Sequence, residues 1–194
     1  VAGDTCHIDV IDKHGNMVAA MPSGGWLQSS PIIPELGLCL NSRAQMFWLE
    51  EGRPATLVPG KRPRTTLSPS MVLKDGKPYM AFGTPGGDQQ DQWQGSFFLR
   101  HAHFGMNLQE AGDAPRIHHI GSSQPTGQVM DDGGIVNLDT GFDYEVIRDL
   151  VRRGHKIQYA LGPYGGYRAI LRDPESGVYH GASESRKDGQ AAGY

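Results

Sequence analysis

Thr5 heads an alternating segment, Thr5-Cys6-His7-Ile8-Asp9-Val10-Ile11-Asp12, and well downstream comes the stretch Gly83-Thr84-Pro85-Gly86-Gly87. Together they supply both halves of an amide-cleaving site: a hydroxyl at the start of a strand and backbone N–H donors in a glycine turn. Cleaving an amide passes through a tetrahedral intermediate, so a nucleophile, a base and oxyanion donors are all needed. Neither half is specific alone, since a threonine before a strand is usually a β-former and Pro-Gly-Gly is usually a turn. The set gains weight because Gly60-Lys61-Arg62-Pro63-Arg64-Thr65-Thr66-Leu67-Ser68-Pro69 lies between the two, in order.

The elements that must position these residues follow from periodicity and turn residues. Cys6, Ile8 and Val10 alternate with His7, Asp9 and Ile11 as in a strand. Asp12-Lys13-His14-Gly15-Asn16 then turns the chain into a second strand, Met17 to Met21. A Gly- and Ser-rich stretch from Pro22 to Ser30 precedes a short strand around Gly37 to Asn41. Pro69 to Lys74 and Pro78 to Gly83 form another hairpin about Asp75-Gly76. Asp88 is the expected N-cap of a helix running to about His103, and Asn107 to Ala111 makes a short helix. Tyr144 to Arg153 is an amphipathic helix closed by Gly154, with Val146, Ile147, Leu150 and Val151 on its inner side. Lys156 to Ala160, Tyr167 to Arg172 and Val178 to Ala182 are the last strands. Strands, then helices, then strands again indicate an α+β layering.

At 194 residues the chain is one domain's worth, spanning residues 1 to 194, and Gly 27 with Pro 13 suits many short strands. A net charge of −3 offers nothing to nucleic acid or an anionic membrane, and Lys61-Arg62-Pro63-Arg64 is too short to change that. No apolar run approaches the length of a span, so no membrane segment is expected, and no signal peptide is visible. Cys6 and Cys39 do not make a disulfide framework, and both are expected to be buried small residues. Cys6 also follows Thr5 directly, but in a strand its side chain points the opposite way. His101/His103 and His118/His119 lack a cysteine or carboxylate cluster at ligand spacing, so neither metal nor cofactor is expected.

The ordered set resembles the small, C-terminal subunit of the γ-glutamyltransferase (γ-glutamyltranspeptidase) family of N-terminal-nucleophile (Ntn) hydrolases. The Gly-Lys-Arg-Pro-x-Thr-Thr-x-Ser-Pro stretch and Gly-Thr-Pro-Gly-Gly are its most specific parts, and Asp113-Ala114-Pro115-Arg116-Ile117-His118 also fits. The resemblance implies a four-layer αββα Ntn sandwich of which this chain is the C-terminal half. It also implies an upstream large subunit from the same precursor as partner, a small-molecule amide as substrate, and room for a higher oligomer. Compartment then depends on the upstream segment, cytoplasmic or periplasmic/secreted. The precursor would cleave itself between Asp4 and Thr5, freeing the Thr5 α-amine to act as base. While Val1-Ala2-Gly3-Asp4 remain attached, the Thr5 nitrogen is an amide and cannot take a proton.

By the same resemblance, Ser23 falls on a family threonine whose hydroxyl supports the nucleophile, and Gly86 and Gly87 fall on the oxyanion-hole pair. Thr65 and Thr66 fall on adjacent serines that bind the γ-glutamyl α-carboxylate. Typical transferases carry an acid shortly after a Leu-Asn motif to hold the substrate ammonium. Here Leu40-Asn41-Ser42-Arg43-Ala44-Gln45-Met46-Phe47-Trp48 has none until Glu50, and Gly25 replaces a ligand-contacting asparagine. Arg43 offers a cationic fork suited to a carboxylate instead. The expected substrate is therefore a carboxylate-bearing acyl group without the amine, as in cephalosporin (glutaryl) acylases, or another small amide. A non-catalytic unprocessed relative and an unusual acyl-like C–C cleavage stand as alternatives.

Overall fold

The computed structural model describes residues 5–25, 30–121, 133–160 and 164–194. Asp4, and with it the expected cleavage junction, lies outside the described residues, as do residues 26–29 of the Gly- and Ser-rich stretch.

Local chemistry accounts for the hairpins. Strands β1 (Ile8–Ile11) and β2 (Met17–Ala20) pair antiparallel across a turn in which Asp12 Oδ1 accepts from the His14 and Asn16 N–H groups. A short ribbon follows, β3 (Ile32–Ile33) with β4 (Leu38–Cys39). Strands β5 (Ser70–Lys74) and β6 (Lys77–Gly83) are joined by Asp75 at φ 52° and Gly76 at φ 75°, the left-handed pair that a tight hairpin requires. Helix α1 (Gln90–Ala102) comes next, then α2 (Leu108–Asp113), where Asn107 and Glu110 cap each other reciprocally.

Strand β7 (Ile117–Ile120) pairs antiparallel with β8 (Ile135–Leu138), and β8 pairs parallel with β9 (Ile157–Tyr159) beyond helix α3 (Tyr144–Arg152). Periodicity did not suggest β3, β7 or β8. Finally β10 (Arg168–Arg172) and β11 (Tyr179–Ser183) complete an antiparallel sheet of order β11-β10-β6-β5.

That four-stranded sheet is the centre of the molecule. Met80 and Phe82 of β6, Tyr167 beside β10, Ala169 and Leu171 of β10, and Ala182 of β11 form a buried cluster with Phe97 of α1 and Leu108 and Ala111 of α2. The opposite face, carrying Ala81 and Gly83, meets the β1–β2 hairpin. Helices, sheet and hairpin thus stack as three layers. The outward side of the hairpin exposes Ile8, Val10 and Val18, each about half accessible (52%, 50% and 55%). Its inward side carries His7 and Asp9, so the usual sense of apolar-in and polar-out is reversed.

Three expectations need correcting. Asp88 does not cap α1: residues Gly87–Gln89 wind as a 3-10 turn ahead of it, and Asp88 pairs with Arg64 at 2.7 Å. No residue of α3 is fully buried, and Val146 and Val151 stay exposed, because among the described elements α3 packs mainly on β9. Cys6, just ahead of β1, is exposed and Cys39 half-buried rather than both buried.

Candidate active site

Antiparallel pairing continues beyond β1 and β2 to Thr5 and Ser23, with the Cys6 N–H donating to the Pro22 carbonyl at 3.2 Å. Thr5 and Ser23 therefore face one another, and Thr5 Oγ1 donates to Ser23 Oγ at 2.9 Å. Two residues on, His7 lies buried with Nε2 2.8 Å from Asp9 Oδ1. Its ring rests flat on Gly83, where any Cβ would overlap it. The strand carrying Thr5 is thereby keyed to the strand that leads into Thr84-Pro85-Gly86-Gly87. Burial pushes the Asp9 carboxyl up, against the lowering effect of His7 and Arg168.

Gly86 adopts φ 145°, and a Cβ there would run into the Trp93 ring, so glycine is required on both counts. Gly86 and Gly87 open the 3-10 turn, where backbone N–H groups have no partner within the turn itself. Thr84 is buried and fixes the turn from behind: its Oγ1 donates to the Pro85 carbonyl and accepts from the Gly166 N–H at 2.9 Å. Thr5, Gly86 and Gly87 line one cleft of about 870 Å³, shared with Trp93, His118, Arg168 and Lys187.

Arg43, Thr65 and Thr66 do not line this cleft. Arg43 Nη1 donates to Thr66 Oγ1 at 3.3 Å, and its Nε lies 3.2 Å from where a Cβ on Gly24 would sit. The pair therefore adjoins the Ser23-Gly24 side of the site. Thr65 is exposed, and its Oγ1 accepts from the Leu67 N–H, a local turn contact. The loop is held to α1 by two buried glutamines: Gln90 Oε1 accepts from the Ser68 N–H, and Gln94 Oε1 from Ser70 Oγ. Burial lowers the Arg43 pKa from its ordinary value, and the nearby Asp88 carboxylate opposes the shift. Among the described residues no three His, Cys, Asp or Glu side chains converge to hold a metal.

The sequence profile of γ-glutamyltranspeptidase matches residues 1–194. The chain belongs to the γ-glutamyltranspeptidase family. It is 32% identical over 196 residues to the glutathione hydrolase-like YwrD proenzyme of Bacillus subtilis, covering 100% of this chain and 36% of that protein. It is 34% identical over 200 residues to the oxamate amidohydrolase proenzyme of Klebsiella pneumoniae, covering 99% of this chain and 36% of that one. Among solved structures, LmbA2991HD is 51% identical with a TM-score of 0.79, over 95% of this chain and 33% of that one. The cephalosporin acylase of Bacillus halodurans is 31% identical with a TM-score of 0.80, over 97% and 34%. The chain spans about a third of the length of the relatives it matches. The family's γ-glutamyltranspeptidases and acylases share its fold, a mixed α/β arrangement of the Ntn type.

Reading the γ-glutamyltranspeptidase motifs alone missed Trp93, His118, Gly165, Gly166, Arg168 and Lys187 around the cleft. A second glycine pair, Gly165-Gly166, was the available signal: a Cβ on Gly165 would overlap Thr84 Oγ1 behind the first pair.

Proposed function

We propose that this chain is the small-subunit part of an Ntn amidohydrolase or acyltransferase that forms an acyl-enzyme on Thr5 after autoproteolysis at Asp4–Thr5. The observation that carries the reading is the 2.9 Å Thr5–Ser23 hydrogen bond at the edge of a cleft that Gly86 and Gly87 also line. In maturation, Thr5 Oγ1 attacks the Asp4 carbonyl carbon, the peptide C–N bond breaks to give an ester and the free α-amine, and water hydrolyses the ester to release the Asp4 carboxylate and restore the Thr5 hydroxyl. An α-amine titrates near about pH 8, suited to base catalysis at neutral pH.

In turnover that amine takes the Oγ1 proton as Oγ1 attacks the substrate carbonyl carbon. The Gly86 and Gly87 N–H groups donate to the oxyanion, and Ser23 Oγ orients Thr5 Oγ1. Collapse expels the amine product, which leaves with the proton from the Thr5 ammonium. Water, or an acceptor amine, then attacks the ester with the same group as base and restores Thr5.

The finer reading is a four-layer αββα sandwich completed by the large subunit of the same precursor. The reversed alternation of β1 supports it, since Ile8, Val10 and Val18 present an apolar sheet face left about half accessible by the described residues. The substrate is a small amide whose acyl group carries a carboxylate. Arg43 beside Thr66 favours this over an ammonium-bearing γ-glutamyl group, and the acylase and amidohydrolase relatives are consistent with it.

Mass analysis of full-length protein tests the core of the reading. The active enzyme is expected to contain a chain beginning at Thr5, and a substrate should add its acyl mass to that chain. Thr5→Ala should remain uncleaved and inactive. Active protein with Val1 still joined to Thr5 would overturn the mechanism, and uncleaved, inactive wild type would favour a non-catalytic relative.

A further inference from the structure

We infer that Gln92 is a positioning residue for the oxyanion donors, holding the Gly86-Gly87 turn in place through Gln89. This inference rests on the Thr5 and Gly86-Gly87 reading and adds the group that keeps those donors still.

Thr84 fixes the start of this turn, and the Trp93 ring lies where a Cβ on Gly86 would sit. The far end is Gln89, which lines the cleft and closes the turn by donating its N–H to the Gly86 carbonyl at 3.2 Å. Gln89 Oε1 accepts from Gln92 Nε2 at 2.9 Å. Gln92 Nε2 also donates to the His119 carbonyl at 3.1 Å, and Gln92 Oε1 accepts from the His119 N–H at 2.9 Å. One side-chain amide therefore joins the last residue of the turn to the backbone of β7.

Strand β7 is an edge strand, in a sheet of order β7-β8-β9. The Arg116 carbonyl accepts from the Asp139 N–H at 2.9 Å, so by alternation the peptide groups of Ile117 and His119 face the open edge. The Gln92 amide pairs with both His119 groups as the peptide of a neighbouring strand would. Trp93, the next residue, donates from Nε1 to the Ile117 carbonyl at 2.9 Å. The His119 N–H requires the Gln92 oxygen opposite it, which turns the amide nitrogen toward Gln89. Gln90 and Gln94 of the same helix are differently employed. Each accepts through Oε1 from the 68–70 segment, and neither Nε2 has a partner among the described residues. The Gly86-Gly87 turn is thus tied to the central sheet through Thr84 and to the β7 sheet through Gln92. A shift of about 1 Å in such donors costs up to about a hundredfold in rate.

The test is a double-mutant cycle in full-length enzyme, on whichever of the glutaryl, γ-glutamyl and acetyl 4-nitroanilides wild type turns over fastest. Rates are taken per mole of matured Thr5 chain. Gln92→Met keeps the length and removes the hydrogen bonds; it should lower kcat about ten- to a hundredfold and leave KM within about twofold. Gln89→Ala cuts only the link to the turn and should lose a similar factor. The double variant should be no slower than the slower single, because both changes break one connection. Single-turnover acylation and deacylation should fall by the same factor in each variant, since both pass through an oxyanion. Losses that multiply in the double variant, a loss confined to KM, or slowed acylation with normal deacylation would overturn the inference. Should Gln92→Met not fold, Gln89→Ala decides alone, and an unchanged kcat there would overturn it. Absence of acyl mass on wild-type Thr5 with all three anilides would overturn the Thr5 reading and this inference with it.

Discussion

At Arg43 the guanidinium is held by Thr66 Oγ1 and packed against Gly24, a residue away from Ser23. Under the proposed function, a cation so placed would serve an acyl carboxylate and repel an ammonium. Arg43→Met should therefore lower kcat/KM on a glutaryl amide by about ten- to a hundredfold and leave a neutral amide of matched length nearly unchanged. Equal losses on the two would show a structural Arg43, and a wild-type preference for γ-glutamyl would place an ammonium-binding acid elsewhere. Cys6 follows Thr5 and lines the same cleft, while the hydrogen bond to Ser23 belongs to Thr5.

Among the elements, the segment leading into β1 ties Thr5 to the Gly86-Gly87 turn through His7 on Gly83, and Asp9 anchors His7. Burial raises the Asp9 pKa, so the folded protein holds this proton more tightly than the unfolded chain. Stability from this group is then greatest at low pH and falls as pH rises from the ordinary 3.8 through the raised folded value. Asp12 and Asp173 act oppositely: turn hydrogen bonds hold them below 3.8, and their contribution is lost as pH falls beneath that value. In Asp9→Asn the downward slope just above 3.8 should flatten, read from denaturant unfolding of full-length protein across pH. An unchanged slope would mean Asp9 ionises in the fold as freely as in the unfolded chain.

Within its short motif, Arg116 joins distant elements, while His118 of the same motif lines the cleft. Arg116 binds Asp139 at 3.0 Å and Glu184 at 2.8 Å, and Arg186 binds the same two carboxylates at 3.0 and 2.6 Å. Glu184 has a side chain only 1% exposed, so removing one cation strands buried negative charge. Arg116→Met should cost about 3–5 kcal/mol in full-length protein, measured by chemical denaturation. A loss within about 0.5 kcal/mol would mean that water already relieves the cluster.

At the scale of the whole molecule, the outward face of β1 and β2 decides whether the chain stands alone. If the large subunit covers it, Val10→Lys in the full-length precursor buries an unpaired charge and should abolish soluble, processed enzyme. If the face stays in water, the same change should be nearly neutral in yield and activity, and the covering proposal would fail.

The hairpins and caps were readable because their bonds are local: Asp12 to Asn16, Asp75-Gly76 and Asn107 to Glu110 each act within a few residues. The family was readable for a related reason, since Gly60 to Pro69 and Gly83 to Gly87 are contiguous stretches. What the sequence could not show is who meets whom across the sheet. Arg168 and Lys187 reach the cleft because β10 pairs with β6 over a long separation in sequence. The four half-buried residues of β7 carry no alternation, so only pairing with β8 makes them a strand. Asp88 had the right type and place for a cap, but the 3-10 turn at Gly87 and the charge of Arg64 drew it away. Residue types and near neighbours determined the motifs and turns. Long-range pairing, which depends on loop closure and on burial shared between distant strands, decided the walls of the site.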